Sequence, residues 1–276
     1  MKLANLDHRA VLVDGDKVLD VHQASGGRFG ADPGALFADW AGFRAWAETV
    51  SWAKAGAATA AFGPPSPTPS QVFGVGLNYR DHAAESGAKL PRIPAVFTKF
   101  PTCLTGDAAE VKLPSAYVDW EVELVVVIGA AADGVAEADA WTHVAGLTIG
   151  QDLSERKVQF AAGAQFSLGK SYRGFGPIGP TLVTPDELTN PDDLAIACAI
   201  NGETVQDSRT SELVFPVARL IADISAIVPM LPGDIIFTGT PSGVGFTRQP
   251  PRSLAPGDVI TSSIEGLGIL RTTCVS

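Results

Sequence analysis

The sequence predicts an α+β fold that is mainly β and built on a mixed sheet, and three observations carry the prediction. Short apolar runs rich in β-branched and aromatic residues recur at 72–75, 95–97, 124–128, 182–183, 235–237 and 259–260, each bounded by Gly/Pro turns. Helical periodicity is confined to three stretches, 39–61, 153–162 and 216–228. These do not alternate regularly with the strand runs, as a doubly wound α/β fold would require.

In chain order, 9–13 and 17–21 flank Asp14-Gly15-Asp16, a turn signal that predicts a hairpin. Trp40, Phe43, Trp46 and Val50 recur at helical spacing and predict an amphipathic helix within 39–61. The run Gly63-Pro64-Pro65-Ser66-Pro67-Thr68-Pro69-Ser70 can be neither helix nor central strand, since proline lacks the amide donor. The expected organisation is a small β-rich N-terminal module at 1–62, a Pro-rich linker at 63–70 and a larger catalytic domain at 71–276.

Hydrophobic residues make up 46% of the chain, enough for a substantial core. A net charge of −10 argues against nucleic acid and anionic membranes as partners. It leaves room for an acidic small molecule, because a bound divalent ion and a few local cations reverse the field inside one pocket. No apolar run approaches membrane-span length and the first residues lack a signal-peptide pattern, so a cytoplasmic protein is expected. Cys103, Cys198 and Cys274 are odd in number and far apart, without ligand spacing, which predicts neither disulfides nor zinc.

The chemistry concentrates in Tyr117-Val118-Asp119-Trp120-Glu121-Val122-Glu123-Leu124. Strand alternation puts Asp119, Glu121 and Glu123 on one face and Trp120, Val122 and Leu124 on the other. Carboxylates two apart on a strand lie about 7 Å from each other, and like charges that close raise each other's pKa or demand a cation. Asp152 follows a second apolar run, 144–150. A set of hard oxygen ligands suits Mg²⁺, Mn²⁺ or Ca²⁺ better than zinc.

Further strings join this one in a fixed order: Gly76-Leu77-Asn78-Tyr79-Arg80-Asp81-His82-Ala83-Ala84-Glu85, Gln151-Asp152-Leu153-Ser154-Glu155-Arg156, Gly169-Lys170-Ser171-Tyr172, Asn201-Gly202-Glu203 and Thr238-Gly239-Thr240-Pro241-Ser242-Gly243. Together they resemble the fumarylacetoacetate hydrolase family over about residues 70–276. The resemblance implies an incomplete barrel-like roll of mixed strands, homodimers, and a metal held by Glu121, Glu123 and Asp152. Asp119 is not among the matched ligands and is expected as a secondary or solvent-facing acid. Lys170 matches the family's active-site lysine, and His82 with Glu85 the water-activating pair on a mobile lid. Many relatives carry an acidic residue where this chain has Arg173, which bears on the substrate's distal group.

The resemblance therefore implies a Mg²⁺- or Mn²⁺-dependent hydrolase cleaving a C–C bond in an acylpyruvate or related β-diketo acid. Alternatives are a 2-oxo-acid decarboxylase, a keto–enol isomerase of diacids from aromatic catabolism and, remotely, a non-catalytic metal-stabilised binding protein. His82 and Glu85, three apart, meet on one helical turn, where the carboxylate raises the imidazole's basicity. Lys170 offers fixed positive charge, and Arg156, Gln159 and Thr240 are the substrate-binding candidates. His8, His22 and His143 are assigned no role. The stretch 79–94 contains Gly87, Pro91 and Pro94 and few large apolar residues, so it is expected as a weakly anchored lid.

Overall fold

The computed structural model describes residues 1–87 and 89–276, and only Ala88, within the expected lid, lies outside the described residues. The apolar runs become strands in two sheets. Among the described residues the larger sheet has twelve strands. Its central order is Lys2–Leu6, Gly176–Val183, Val144–Gln151, Val122–Ile128, Ile235–Phe237, Val72–Gly76 and Ala95–Thr98. The pairing of Ile235–Phe237 with Val72–Gly76 is parallel while its other neighbour is antiparallel, so the sheet is mixed. The second sheet, of five strands, runs Glu203–Arg209, Ala195–Ile200, Val259–Ile264, Gly268–Val275 and Ala109–Lys112. Helices are few and short, the longest being Val217–Ser225.

Strand Val122–Ile128 shows how the alternation sorts side chains. Val122, Leu124, Val126 and Ile128 face a core shared with Ile196, Ile200 and Ile260 of the second sheet. Val125 and Val127 face a second core filled by Leu3, Leu12, Phe37, Trp40 and Phe43. Buried on both faces, the strand is uniformly apolar except at Glu123. Each such side chain contributes about 1.5–3 kcal/mol through burial.

The hairpin forms at Arg9–Asp14 and Lys17–Asp20. The helix within 39–61 is shorter than its periodicity suggested, spanning only Trp40–Ala47. A 3₁₀ segment, Gly34–Asp39, precedes it, and Asp39 caps it by accepting from the Gly42 amide at 3.0 Å. Segment 1–62 also adds to the central sheet, since Lys2–Leu6 pairs antiparallel with Gly176–Val183 and the two segments share a core.

No helix among the described residues is long and apolar enough to cross a membrane. All three cysteines are free and buried, and burial pushes the Cys198 and Cys274 thiols up to about 12, which keeps them protonated and unreactive.

Candidate metal centre

Antiparallel pairing of Val122–Ile128 with Val144–Gln151 aligns Val122 with Gln151 and Glu123 with Gly150. The ladder then opens at Trp120-Glu121 opposite Asp152-Leu153 and closes again where Val118–Asp119 pairs with Ser154–Glu155. One backbone bond, from the Asp152 amide to the Glu121 carbonyl at 2.9 Å, crosses the gap. Glu121, Glu123 and Asp152 converge there, each buried, with ligand oxygens all within 4.8 Å of one another. Three hard oxygen donors at this spacing fit a small divalent cation that keeps further positions for water and substrate.

The electrostatics agree with that fit. Burial, with Asp152 and Glu121 alongside, holds the Glu123 carboxyl well above the usual carboxylate range. Against this, Lys170 and the Gly239 amide, which donates to Oε2 at 2.7 Å, favour the charged form. Gly239 has φ +107, and a Cβ there would lie 2.8 Å from the Asn78 Cβ. Burial also opposes ionisation of Glu121, but Lys170 and Arg156 outweigh it and hold its pKa at about 2. Lys170 Nζ donates to Glu121 Oε2 and Asp152 Oδ2, both at 2.6 Å, and Arg156 Nη1 donates to Glu121 Oε1 at 2.7 Å. Burial works against the Lys170 charge, yet Asp152 and Glu121 raise its pKa above the ordinary value.

A cavity of about 380 Å³ opens onto these groups. Its walls include Glu121, Glu123, Lys170, Arg156, Gln159 and Thr240, with His82 on the helix Arg80–Glu85 at its edge. His82 Nδ1 lies 3.2 Å from Glu85 Oε2. Thr240 donates to the Val122 carbonyl and accepts from Gln206 Nε2, and Gln159 accepts from Arg156. The sequence-predicted site residues therefore meet in one place. Arg173 does not join them, lining a separate cavity with Thr102, Glu110 and Lys112.

Two expectations are corrected, for Asp119 and for the lid. Asp119 is not solvent-facing but a buried secondary acid; it is 1% exposed and accepts from Arg156 Nε at 2.9 Å and from the Gly245 and Phe246 amides at 2.7 and 3.0 Å. Its charge orients the arginine. The glycine-rich turn spends its amides on protein carboxylates, Gly239 on Glu123 and Gly243 on Glu85. The first half of the expected lid is anchored, because Ser208 and Ser242 donate to Asp81 and Tyr79 forms an antiparallel bridge with Leu213.

Sequence reasoning missed Lys99. It follows strand Ala95–Thr98, is 1% exposed, and donates to Asp152 Oδ1 at 2.6 Å and to the Lys170 and Phe175 carbonyls. The available signal was a lone lysine between Phe97 and Phe100, in a run too apolar for a solvated face.

The family model described as "Fumarylacetoacetate (FAA) hydrolase C-terminal" matches residues 71–275. The "Oxaloacetate tautomerase Fahd2a, mitochondrial" of Rattus norvegicus is 44% identical over 208 residues, 75% of this chain and 66% of that one. The chain thus spans about two thirds of the length of that relative. A crystal structure from Mycobacterium smegmatis, of a protein provisionally named HpcE, superimposes with a TM-score of 0.96 at 54% identity over 100% of this chain and 99% of that one. Maleylpyruvate hydrolase from Sphingobium sp. SYK-6, solved with manganese(II) and pyruvate, superimposes with a TM-score of 0.79 at 27% identity over 100% and 99% of the two chains. With its site strings in order and its mixed-sheet roll in place, the chain belongs to the fumarylacetoacetate hydrolase family.

Proposed function

We propose that this protein is a divalent-metal-dependent hydrolase that cleaves a C–C bond in an acylpyruvate or related β-diketo acid. One observation carries the reading: the buried carboxylates and His82 open onto the same cavity. Glu121, Glu123 and Asp152 would hold Mg²⁺ or Mn²⁺, which when bound supplies Lewis-acid charge at the 2-oxo acid end of the substrate. The manganese and pyruvate bound to the Sphingobium enzyme support this choice.

The proton chemistry falls to His82. With Nδ1–H donated to Glu85, Nε2 is the free basic nitrogen. It takes a proton from water as the water oxygen bonds to the acyl carbonyl carbon. The C–C bond breaks, its electron pair leaves on the pyruvyl fragment as the enolate, and protonation of that carbon completes pyruvate beside a carboxylic acid. Lys170 and Arg156 keep Glu121 ionised throughout, and Asp119 fixes the guanidinium in place.

A second reading is keto–enol tautomerisation, favoured by the name of the rat relative. The same dyad would then move one proton between carbon and oxygen, with no water consumed. Acetylpyruvate and oxaloacetate, each with Mg²⁺ or with chelator, separate the two. Hydrolysis predicts chelator-sensitive release of pyruvate and acetate from acetylpyruvate. Tautomerisation predicts faster equilibration of enol-oxaloacetate with no pyruvate formed. Glu121→Gln is expected to abolish either activity while keeping the far-ultraviolet circular dichroism of the parent, because an amide oxygen is a much weaker partner for the ion. Near-parental rates in that variant at limiting metal would refute the site.

A further inference from the structure

We infer that the cavity selects a monocarboxylate, a 2-oxo acid whose far end is an apolar acyl group such as an aryl ring, over a dicarboxylate. The inference rests on the proposed reading of the cavity as a 2-oxo acid site and adds the chemistry of the other end of the substrate.

Charge is the first argument. Lys99, Arg156 and Lys170 face Asp119, Glu121, Glu123 and Asp152, so with Glu123 ionised, as metal binding requires, the buried set carries one net negative charge. A divalent ion makes it one net positive, and a single substrate carboxylate neutralises it. A second carboxylate would need another cation. Among the described residues the cations lining the cavity are Arg156 and Lys170, and both are already paired. Three further basic side chains flank the Phe246 and Tyr117 side of the cavity and are engaged there. Arg248 donates to the Val205 and Gly243 carbonyls, Arg252 pairs with Glu203, and Lys157 sits 3.5 Å from the Tyr117 ring centroid. Asp81 and Glu85 add negative charge beside His82. An unpaired carboxylate in such surroundings is strongly disfavoured.

The walls are the second argument. Lys170 Nζ lies 5.0 Å from the Phe97 ring centroid, and from there aromatic rings run in contact along the cavity. Phe97 meets Phe166 at 5.8 Å, Phe166 meets Phe160 at 5.7 Å, and Phe160 meets Phe246 at 5.6 Å between centroids. Val75, Leu77, Ala95 and Val244 add to this apolar lining, and Ser86 and Thr247 add hydroxyls but no charge. Phe160 and Phe246 remain 46% and 53% exposed, an apolar surface in a cavity much larger than a pyruvyl group fills. A ring or alkyl chain on the acyl carbon would cover it.

Isothermal titration of the Mg²⁺-loaded protein with unreactive oxalyl amides reads this directly, without turnover. Oxamate probes the 2-oxo acid end alone, N-phenyloxamate adds an apolar ring, and N-oxalylglycine adds a second carboxylate. N-phenyloxamate is expected to bind about tenfold or more tighter than either of the others. Phe160→Arg, at an exposed position that does not support the core, should erase that advantage and tighten N-oxalylglycine. Equal or tighter binding of N-oxalylglycine to the parent, or an unchanged ratio in Phe160→Arg, overturns the inference. If oxamate binds and the ring adds nothing, only this inference falls. If oxamate itself does not bind, the 2-oxo acid reading falls and takes the inference with it.

Discussion

His82 and Glu85 are partly buried, at 14% and 25% side-chain exposure, and the second carboxylate oxygen of Glu85 accepts from the Gly243 amide at 3.0 Å. That bond fixes the carboxylate, which in turn sets the imidazole tautomer. A residue used for proton transfer and one used for binding differ in what their loss changes. His82→Ala is expected to reduce turnover far more than it weakens oxalate, which needs the metal but no proton. Oxalate inhibition and hydrolysis rate measured in this one variant decide the point; if both fall by the same factor, His82 is a binding residue. The dyad was readable as a three-residue spacing in the sequence. The role of Asp119 was not, because its partners, Arg156 and the amides of Gly245 and Phe246, lie 37 to 127 residues away along the chain.

At the scale of elements, the site exists because one pair of strands is interrupted. Two ladders, Val122–Ile128 with Val144–Gln151 and Val118–Asp119 with Ser154–Glu155, leave Glu121 and Asp152 in the gap between them. Alternation itself persists across the break, for Val118, Trp120, Val122 and Leu124 all enter the same core. The turn after strand Ile235–Phe237 closes the other side and depends on Gly239. Gly239→Ala would combine a left-handed φ with a Cβ pressed against Asn78, a cost of ~1–3 kcal/mol from backbone strain alone. Thermal melts are expected to fall by ~3 °C or more. Mg²⁺ affinity should weaken as well, since the amide that steadies Glu123 moves. A variant that melts and binds Mg²⁺ like the parent would show that the turn does not set the ligand.

For the whole molecule, the centre lies between segments that are distant in sequence, so its charge is coupled to global stability. The folded-state pKa of Glu123 is raised above its unfolded value by burial and by Asp152 and Glu121. In the ion-free protein this group's contribution to stability is full below the unfolded pKa and is lost as pH rises through the folded one. Metal binding needs the carboxylate, so it releases the proton and tightens over the same interval. Mg²⁺ at a hundredfold its dissociation constant would stabilise the fold by about 2.7 kcal/mol. The gain in melting temperature on adding Mg²⁺ in place of chelator is therefore expected to grow as pH rises from the ordinary carboxylate range through the raised pKa of Glu123. A gain that is constant across that interval, or absent at millimolar ion, would refute the linkage.

The sequence by itself determined the mixed-sheet class, the hairpin at its start, the face on which Glu121 and Glu123 lie, and the ordered strings that mark the family. These are local properties: a period of two, a proline-rich break, a spacing of three on a helix turn. Only the tertiary structure decided how the charges are shared. Lys99 and Lys170 stand 71 residues apart, yet the ammonium of one binds both Asp152 and the other's carbonyl. The helix within 39–61 likewise ends at Ala47, although Val50, Trp52 and Ala55 beyond it still pack against the same core. Periodicity reports which face of an element is apolar. How far that face extends, and which buried charge meets which, follow from long-range pairing that desolvation makes obligatory and no local pattern encodes.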